Sequence, residues 1–219
     1  MRPSDIHAAV RILKGEVKQW QEPVVGVVAR ESGHDPFKVL ISCLLSLRTK
    51  DRTTSEASAR LFALAENPAT MLNLSSHRIE QAIYPVGFYR TKTKQIQNIC
   101  RLLLDQHGGK VPDSIETLLT LPGVGRKTAN LVITVGYGKP GICVDIHVHR
   151  ISNRWGYVKT TKPEETEQAL RRKLPSQYWM IYNDLLVPYG QNICQPVSPF
   201  CSRCKLLKYC DRVGVTRSR

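Results

Sequence analysis

The sequence has no run of the roughly eighteen apolar residues that a membrane-spanning helix needs. Its opening residues, Met1-Arg2-Pro3-Ser4-Asp5-Ile6-His7, lack the apolar centre of a secretory leader. An intracellular protein is expected, in the cytoplasm or nucleoid if the source is bacterial or archaeal. Strand-like alternation is scarce, and no internal repeat, low-complexity tract or long linker occurs, which excludes a solenoid, a tethered array or a disordered chain. A disulfide framework is also excluded, because seven cysteines do not close into pairs. Acidic side chains are in short supply: 18 Asp and Glu face 32 Lys and Arg, a net charge of +14. Such an excess suits a polyanionic partner, since neutralised phosphates release counterions, although charge alone equally describes a soluble basic protein.

What is present is helical. Apolar residues recur at helical spacing, as in Ile6, Val10, Ile12 and Leu13, in Val39, Leu40, Cys43, Leu44 and Leu47, and in Ile96, Ile99, Leu102 and Leu103. Candidate caps stand at Ser4, Asp35, Asp51 and Asp113, and about ten helices are expected in an all-α chain of 219 residues. The Gly136–Gly141 run is the best internal boundary. Beyond Cys194 the chain becomes loop-like and rich in cysteine.

Four cysteines, Cys194, Cys201, Cys204 and Cys210, follow a C-x6-C-x2-C-x5-C spacing. Such a set can hold a tetrahedral zinc or a 4Fe-4S cluster, and the spacing, with its one Cys-x2-Cys pair, leans only mildly toward the cluster. Cys43, Cys100 and Cys143 sit singly among apolar neighbours and read as small buried hydrophobes.

The most informative segment is Leu121-Pro122-Gly123-Val124-Gly125-Arg126-Lys127-Thr128-Ala129-Asn130, which joins two helices by a tight turn. Gly123 and Gly125 can adopt backbone angles closed to other residues and present their amides beside a helix start, where a phosphate is held without sequence readout. A bare Gly-x-Gly joint would mean little. Eighteen residues after Lys127 comes Asp145, within Val144-Asp145-Ile146-His147-Val148-His149-Arg150.

Together these segments resemble the helix-hairpin-helix motif, with its trailing Gly/Pro-rich loop and aspartate, that marks a large superfamily of DNA glycosylases. The cysteine spacing is similar to the iron-sulfur signature of its endonuclease III and adenine glycosylase branch. The resemblance implies two helical domains: a six-helix domain at 29–139 carrying the hairpin, and a 4Fe-4S cluster domain from 1–28 plus 140–219, with duplex DNA in a cleft between them. It also implies a monomer that excises damaged pyrimidines such as thymine glycol and cleaves abasic sites.

Within that superfamily, a lysine at the position of Lys127 marks the members that are also lyases. A neutral amine attacks the anomeric carbon and gives a Schiff base that permits β-elimination. Asp145 is the candidate carboxylate that offsets charge developing on the sugar. It stands in an apolar lead-in, where a charge must be capped or used. His147 resembles a histidine of the family motif, and a hydrogen-bonding structural role stands beside a catalytic one. Gly123, Val124, Gly125, Arg126 and Arg150 are candidate DNA contacts, and Lys92, Lys94 and Arg154 are expected along the same backbone track.

Leu44-Leu45-Ser46-Leu47-Arg48-Thr49-Lys50-Asp51 resembles a family segment whose glutamine fills the gap left by an extruded base, with Arg48 in its place. Phe88, in Gly87-Phe88-Tyr89-Arg90, resembles the wedge of a second loop, though a core aromatic fits equally. The loop Gln195-Pro196-Val197-Ser198-Pro199-Phe200 holds no basic residue, a departure from the charged loop that the resemblance implies. Two other readings remain: a monofunctional adenine or thymine mismatch glycosylase, against which Lys127 argues, and a non-catalytic iron-sulfur DNA-binding module.

Overall fold

The computed structural model describes all residues, 1–219. It is all-helical, with twelve α-helices and no strand. The chain divides into two compact units, one continuous (Val24–Gly141) and one split (Met1–Pro23 with Ile142–Arg219).

The continuous unit holds α2 (Val24–Glu31), α3 (Pro36–Ser46), α4 (Asp51–Leu64), α5 (Pro68–Leu72), α6 (Ser76–Ile83), α7 (Tyr89–His107), α8 (Ile115–Leu118) and α9 (Arg126–Leu131). Its centre is α3, where Phe37, Val39, Leu40, Ile41, Cys43, Leu44 and Leu45 are all buried. A helix apolar on every side has to be enclosed, and α2, α4, α7 and α9 enclose it. Each large aliphatic buried there contributes roughly 1.5–3 kcal/mol, so Leu44→Ala would cost about 2–5 kcal/mol. Asp35 starts α3 as expected, its carboxylate accepting from the amides of Phe37 and Lys38.

The split unit holds α1 (Ile6–Glu16), α10 (Ile146–Arg154), α11 (Pro163–Lys173) and α12 (Tyr182–Asn192). Ile6, Ala9, Val10 and Leu13 of α1 form one stripe at helical spacing, and they pack with Val148, Ile151, Trp155, Leu170, Tyr182, Leu186 and Tyr189.

Three expected caps shift. Ser4 lies inside a 3-10 turn, Pro3–Asp5, that precedes α1. Asp51 is the first residue of α4 and not its cap. Ser114 caps α8 through the amide of Thr117, while Asp113 pairs with Lys139, which holds its carboxyl below the usual carboxylate range. Only at α8 does another side chain take the cap; α1 and α4 begin without a side-chain cap.

Candidate functional site

In the hairpin, the Val124 amide donates to the Leu121 carbonyl at 3.1 Å and the Val124 side chain is buried, so this residue closes the turn from inside. Gly123 has φ +79°, where a side chain is strained. Gly125 does not conform to expectation: with φ −97° and ψ 177° it is extended backbone that any residue adopts. A Cβ at Gly125 would meet nothing within 4 Å. The amides of Gly123 and Gly125 donate to no group of the protein. Because α9 begins at Arg126, Lys127 stands in its first turn, half-buried. The Cys43 thiol on α3 is pushed up to about 12 by burial, and the charge of Lys127 acts on it in the opposite direction.

A second cluster in the same unit brings Arg48 and Phe88 together. Both are exposed and both take left-handed backbone, with φ 54° and 58°. The Arg48 guanidinium lies 5.6 Å from the centre of the Phe88 ring. Phe88, at 63% exposure, is no core aromatic. The two loops are stitched by the Gly87 amide, which donates to Thr49 Oγ1 at 3.1 Å. A Cβ on Gly87 would fall 2.8 Å from the Arg48 carbonyl oxygen, so only glycine permits this approach.

Lys92 holds the cluster from beneath, and sequence reasoning misplaced it. Expected on an exposed backbone track, it is 4% exposed. Its Nζ donates to the carbonyls of Leu45 at 2.9 Å and Leu47 at 2.6 Å, and to Thr49 Oγ1 at 3.3 Å. These carbonyls belong to the end of α3, where a helix leaves acceptors unpaired and favours a cation. Burial pushes the Lys92 ammonium down to about 8. The available signal was its register: Lys92 precedes Ile96, Ile99 and Leu103 on the buried stripe of α7.

In the split unit, Asp145 caps α10. Its Oδ1 accepts from the amides of His147 at 2.8 Å and Val148 at 2.9 Å. Oδ2 takes no hydrogen bond from the protein, and the residue as a whole is 9% exposed. One carboxylate oxygen is thus fixed and the other available.

His147 Nδ1 lies 3.0 Å from Arg150 Nη2. The Arg150 guanidinium also donates to the carbonyls of Gly190 at 3.1 Å and Cys194 at 2.8 Å. Burial is the main reason Arg150 sits below its ordinary range, and the charge of Arg154 adds to it. Arg154, also expected on the track, is 9% exposed and donates to Cys194 Sγ and to the carbonyls of Gln195 and Pro196. Both arginines thus organise the cysteine loop.

Cys194, Cys201, Cys204 and Cys210 line one recess, walled by Trp155, Tyr189 and Leu207. Tyr189 Oη lies 3.1 Å from Cys204 Sγ, and the Arg212 amide donates to Cys210 Sγ at 3.4 Å. Burial raises the Cys204 thiol and pushes that of Cys210 up to about 11, and the other thiols of the set push both the same way. No three of these groups converge tightly enough to hold a single metal ion. Cys43, Cys100 and Cys143 are buried and apart from this set.

The model of the HhH-GPD superfamily of base excision DNA repair proteins matches residues 41–176. Endonuclease III of Thermotoga maritima is 49% identical over 177 residues, covering 81% of this chain and 83% of its own. Endonuclease III of Bacillus subtilis is 36% identical over 186 residues, 84% of each chain. Among solved structures, a trapped covalent intermediate of endonuclease III with DNA matches at 30% identity and TM-score 0.83, over 97% of both chains. A thermostable thymine-DNA glycosylase, 22% identical over 94% of this chain and 98% of its own, shares the fold at TM-score 0.74. By sequence and by fold, the chain belongs to the endonuclease III family within the HhH-GPD superfamily.

Proposed function

We propose that the chain is a bifunctional DNA glycosylase and abasic-site lyase of base excision repair, acting on duplex DNA that carries oxidised pyrimidines such as thymine glycol. The observation that carries this reading is Lys127, a half-buried amine in the first turn of α9, directly after a hairpin whose two glycine amides are unused by the protein.

In the proposed reaction, Lys127 Nζ attacks the anomeric carbon as the free amine. The C–N bond to the base breaks, and the base leaves with the electron pair and takes up a proton. The nitrogen lone pair then forms the C=N bond as C1′–O4′ breaks, O4′ takes up a proton, and the remaining N–H is kept in a protonated Schiff base that acidifies C2′. Removal of a proton from C2′ then expels the 3′ phosphate. Asp145 Oδ2 supplies the negative charge that stabilises the sugar as it becomes cationic, while Oδ1 stays committed to the helix amides and keeps the carboxylate oriented.

Gly123, Gly125 and Arg126 are assigned to the DNA backbone, with Val124 shaping the turn. Arg48 and Phe88 are assigned to the space left when the damaged nucleotide is extruded. His147 and Arg150 hold the start of α10 and the cysteine loop, and any contact they make with DNA comes from that position.

The four thiols are assigned to a 4Fe-4S cluster. They line one recess, and their C-x6-C-x2-C-x5-C spacing is similar to the iron-sulfur signature of the endonuclease III branch, which supports the cluster over a lone zinc. When bound, such a group crosslinks the segment and takes no part in the sugar chemistry. Purified protein should be yellow-brown with about four irons, and a colourless, zinc-loaded preparation would refute the cluster.

Borohydride trapping on a duplex carrying thymine glycol tests the function, with Lys127→Gln and Asp145→Asn beside the native protein. A covalent adduct that disappears with Lys127→Gln is expected. Base release without an adduct would make the protein a monofunctional glycosylase, and release of no base would leave a DNA-binding module.

A further inference from the structure

Lys92 is a buried cation that the proposed reaction does not use. At 4% exposure it is too enclosed to meet a phosphate, so its charge has a task inside the fold. An ammonium taken out of water is costly unless acceptors replace the solvent. Three do: the carbonyls of Leu45 and Leu47 and the hydroxyl of Thr49, at 2.9, 2.6 and 3.3 Å.

The Thr49 hydroxyl is where the two projecting loops meet. A hydroxyl has one proton to give and two lone pairs. Its proton goes to the Leu47 carbonyl at 3.3 Å, and its lone pairs take the Gly87 amide at 3.1 Å and the Lys92 ammonium. The whole bonding capacity of this group is spent on joining Leu47, Gly87 and Lys92. Arg48 stands between Leu47 and Thr49, and Phe88 follows Gly87. Both projecting side chains are therefore one peptide away from a group in the network.

Lys92 also grips Phe88 through its backbone, its amide donating to the Phe88 carbonyl at 3.0 Å. One residue thus bonds the second loop with its amide and the first with its ammonium. The need for such fixing is visible in the backbone. Arg48 and Phe88 both take left-handed angles, φ 54° and 58°, which residues with a side chain keep only where their surroundings enforce them. In that arrangement the Arg48 guanidinium lies 5.6 Å from the centre of the Phe88 ring.

We propose that Lys92 is a positioning residue for base extrusion, holding Arg48 against Phe88 so that the pair enters the duplex as one preformed wedge. The proposal rests on the reading of the protein as a glycosylase and lyase. A wedge matters most where a stacked base has to be displaced, and least at a site whose base is already missing. Loss of the Lys92 ammonium therefore separates the two activities, whereas loss of folding lowers both alike.

Single-turnover rates with protein in excess test this on two duplexes of one sequence, the first carrying thymine glycol and the second a preformed abasic site. The native protein is compared with Lys92→Met, Thr49→Val, Arg48→Ala, the double variant Lys92→Met with Arg48→Ala, and Leu61→Ala, which truncates a fully buried side chain of α4. Lys92→Met should lower the ratio of base release to abasic-site cleavage by about 10- to 100-fold, the scale of loss that a misplacement of about 1 Å brings. Thr49→Val should lower it less, because the ammonium keeps both carbonyls. The double variant should release base no more slowly than Arg48→Ala, since a strut is idle once the group it holds is gone. Leu61→Ala should leave the ratio as it is.

An unchanged ratio in Lys92→Met overturns the proposal, and so does a double variant whose loss is the product of the two single losses. If Lys92→Met does not fold, Thr49→Val decides in its place, and an unchanged ratio there overturns the proposal equally. A native protein that releases thymine glycol and cleaves abasic sites, while Lys92→Met loses both activities in equal measure, refutes this role alone. A native protein that does neither refutes the enzyme, and this role with it.

Discussion

The Arg48–Phe88 loops of the continuous unit and the cysteine segment of the split unit both project from helices, and they are stabilised by different means. The first pair of loops stands on α3, a helix buried on all sides, and is tied to it by one buried cation, Lys92. The second has almost no core: of residues 194–219, only Pro199 and Leu206 are buried. Its backbone is held by Arg150, Arg154 and Arg219, which donate to its carbonyls, and its four thiols line the one recess assigned above to a cluster. A loop seated on a core needs a single strut. A segment without one needs crosslinks, and it should be the part that fails when they are cut.

The largest test of that difference removes one ligand of the proposed cluster. Cys204→Ala should raise amide hydrogen exchange across residues 201–210 by at least about 100-fold, a local loss of roughly 3 kcal/mol, while the α3 amides from Leu40 to Leu45 keep their protection. Equal acceleration in α3 would show that the two units do not differ in this way.

Next in size is the strut itself. Lys92→Met leaves two carbonyls and a hydroxyl without their donor and should cost about 2–4 kcal/mol in urea unfolding. A loss below about 1 kcal/mol would mean that the α3 core holds the loops unaided. The pH dependence has a definite sign. Burial pushes Lys92 from 10.5 down to about 8, so the unfolded chain binds that proton more tightly. The cost of the buried charge is therefore complete below pH 8 and fades as pH rises toward 10.5. Native protein should gain on Lys92→Met across that window, by roughly 1–2 kcal/mol between pH 7.5 and 10. A gap that narrows instead would contradict the burial.

Much of this was legible in the sequence, for physical reasons that differ by residue. The hairpin and the cysteine set are local: their spacing alone puts Lys127 in the first turn of a helix and four sulfurs within reach of one another. Asp145 was legible because a charge in an apolar lead-in has few uses. Lys92, Arg150 and Arg154 were not, since a basic side chain reads as solvated unless its register on a helix is weighed against its charge. The pairing of Arg48 with Phe88 was hidden for another reason: it depends on two left-handed residues and a glycine contact between loops about forty positions apart. Arg219 reaches back across more than twenty residues by hydrogen bonds that no local pattern encodes.

A smaller effect sharpens the same comparison at two glycines. In Gly87→Ala the new Cβ would stand 2.8 Å from the Arg48 carbonyl oxygen, a backbone atom fixed by the loop, and the expected cost is about 1–3 kcal/mol. In Gly190→Ala the nearest atoms are His147 Nδ1 at 2.4 Å, Arg150 Nη2 at 3.0 Å and His147 Cβ at 3.0 Å. The imidazole and guanidinium can turn only by giving up their hydrogen bonds, and His147 Cβ moves only with α10, but alanine recovers up to about 1 kcal/mol of helix propensity, so a smaller net cost of about 0–2 kcal/mol is expected. Urea midpoints for the two variants decide it. If Gly190→Ala proves the more damaging, the arginine and histidine of the split unit are as rigid as the backbone of the other.

The smallest effect concerns Asn183, at 6% exposure near the start of α12. Its Nδ2 is the single buried side-chain polar atom without a partner, whereas Lys92, the buried cation of the continuous unit, has three acceptors. An unsatisfied donor contributes only its desolvation cost, so Asn183→Leu should be neutral or raise stability by up to about 1 kcal/mol. The contrast with Lys92→Met is the point of the measurement. The same kind of change, a buried polar group replaced by an apolar one of similar size, should be harmless where the group bonds nothing and costly where it holds two loops. If Asn183→Leu instead lost more than about 2 kcal/mol, the split unit too would depend on a buried polar strut, and the difference between the units would narrow to their cysteines.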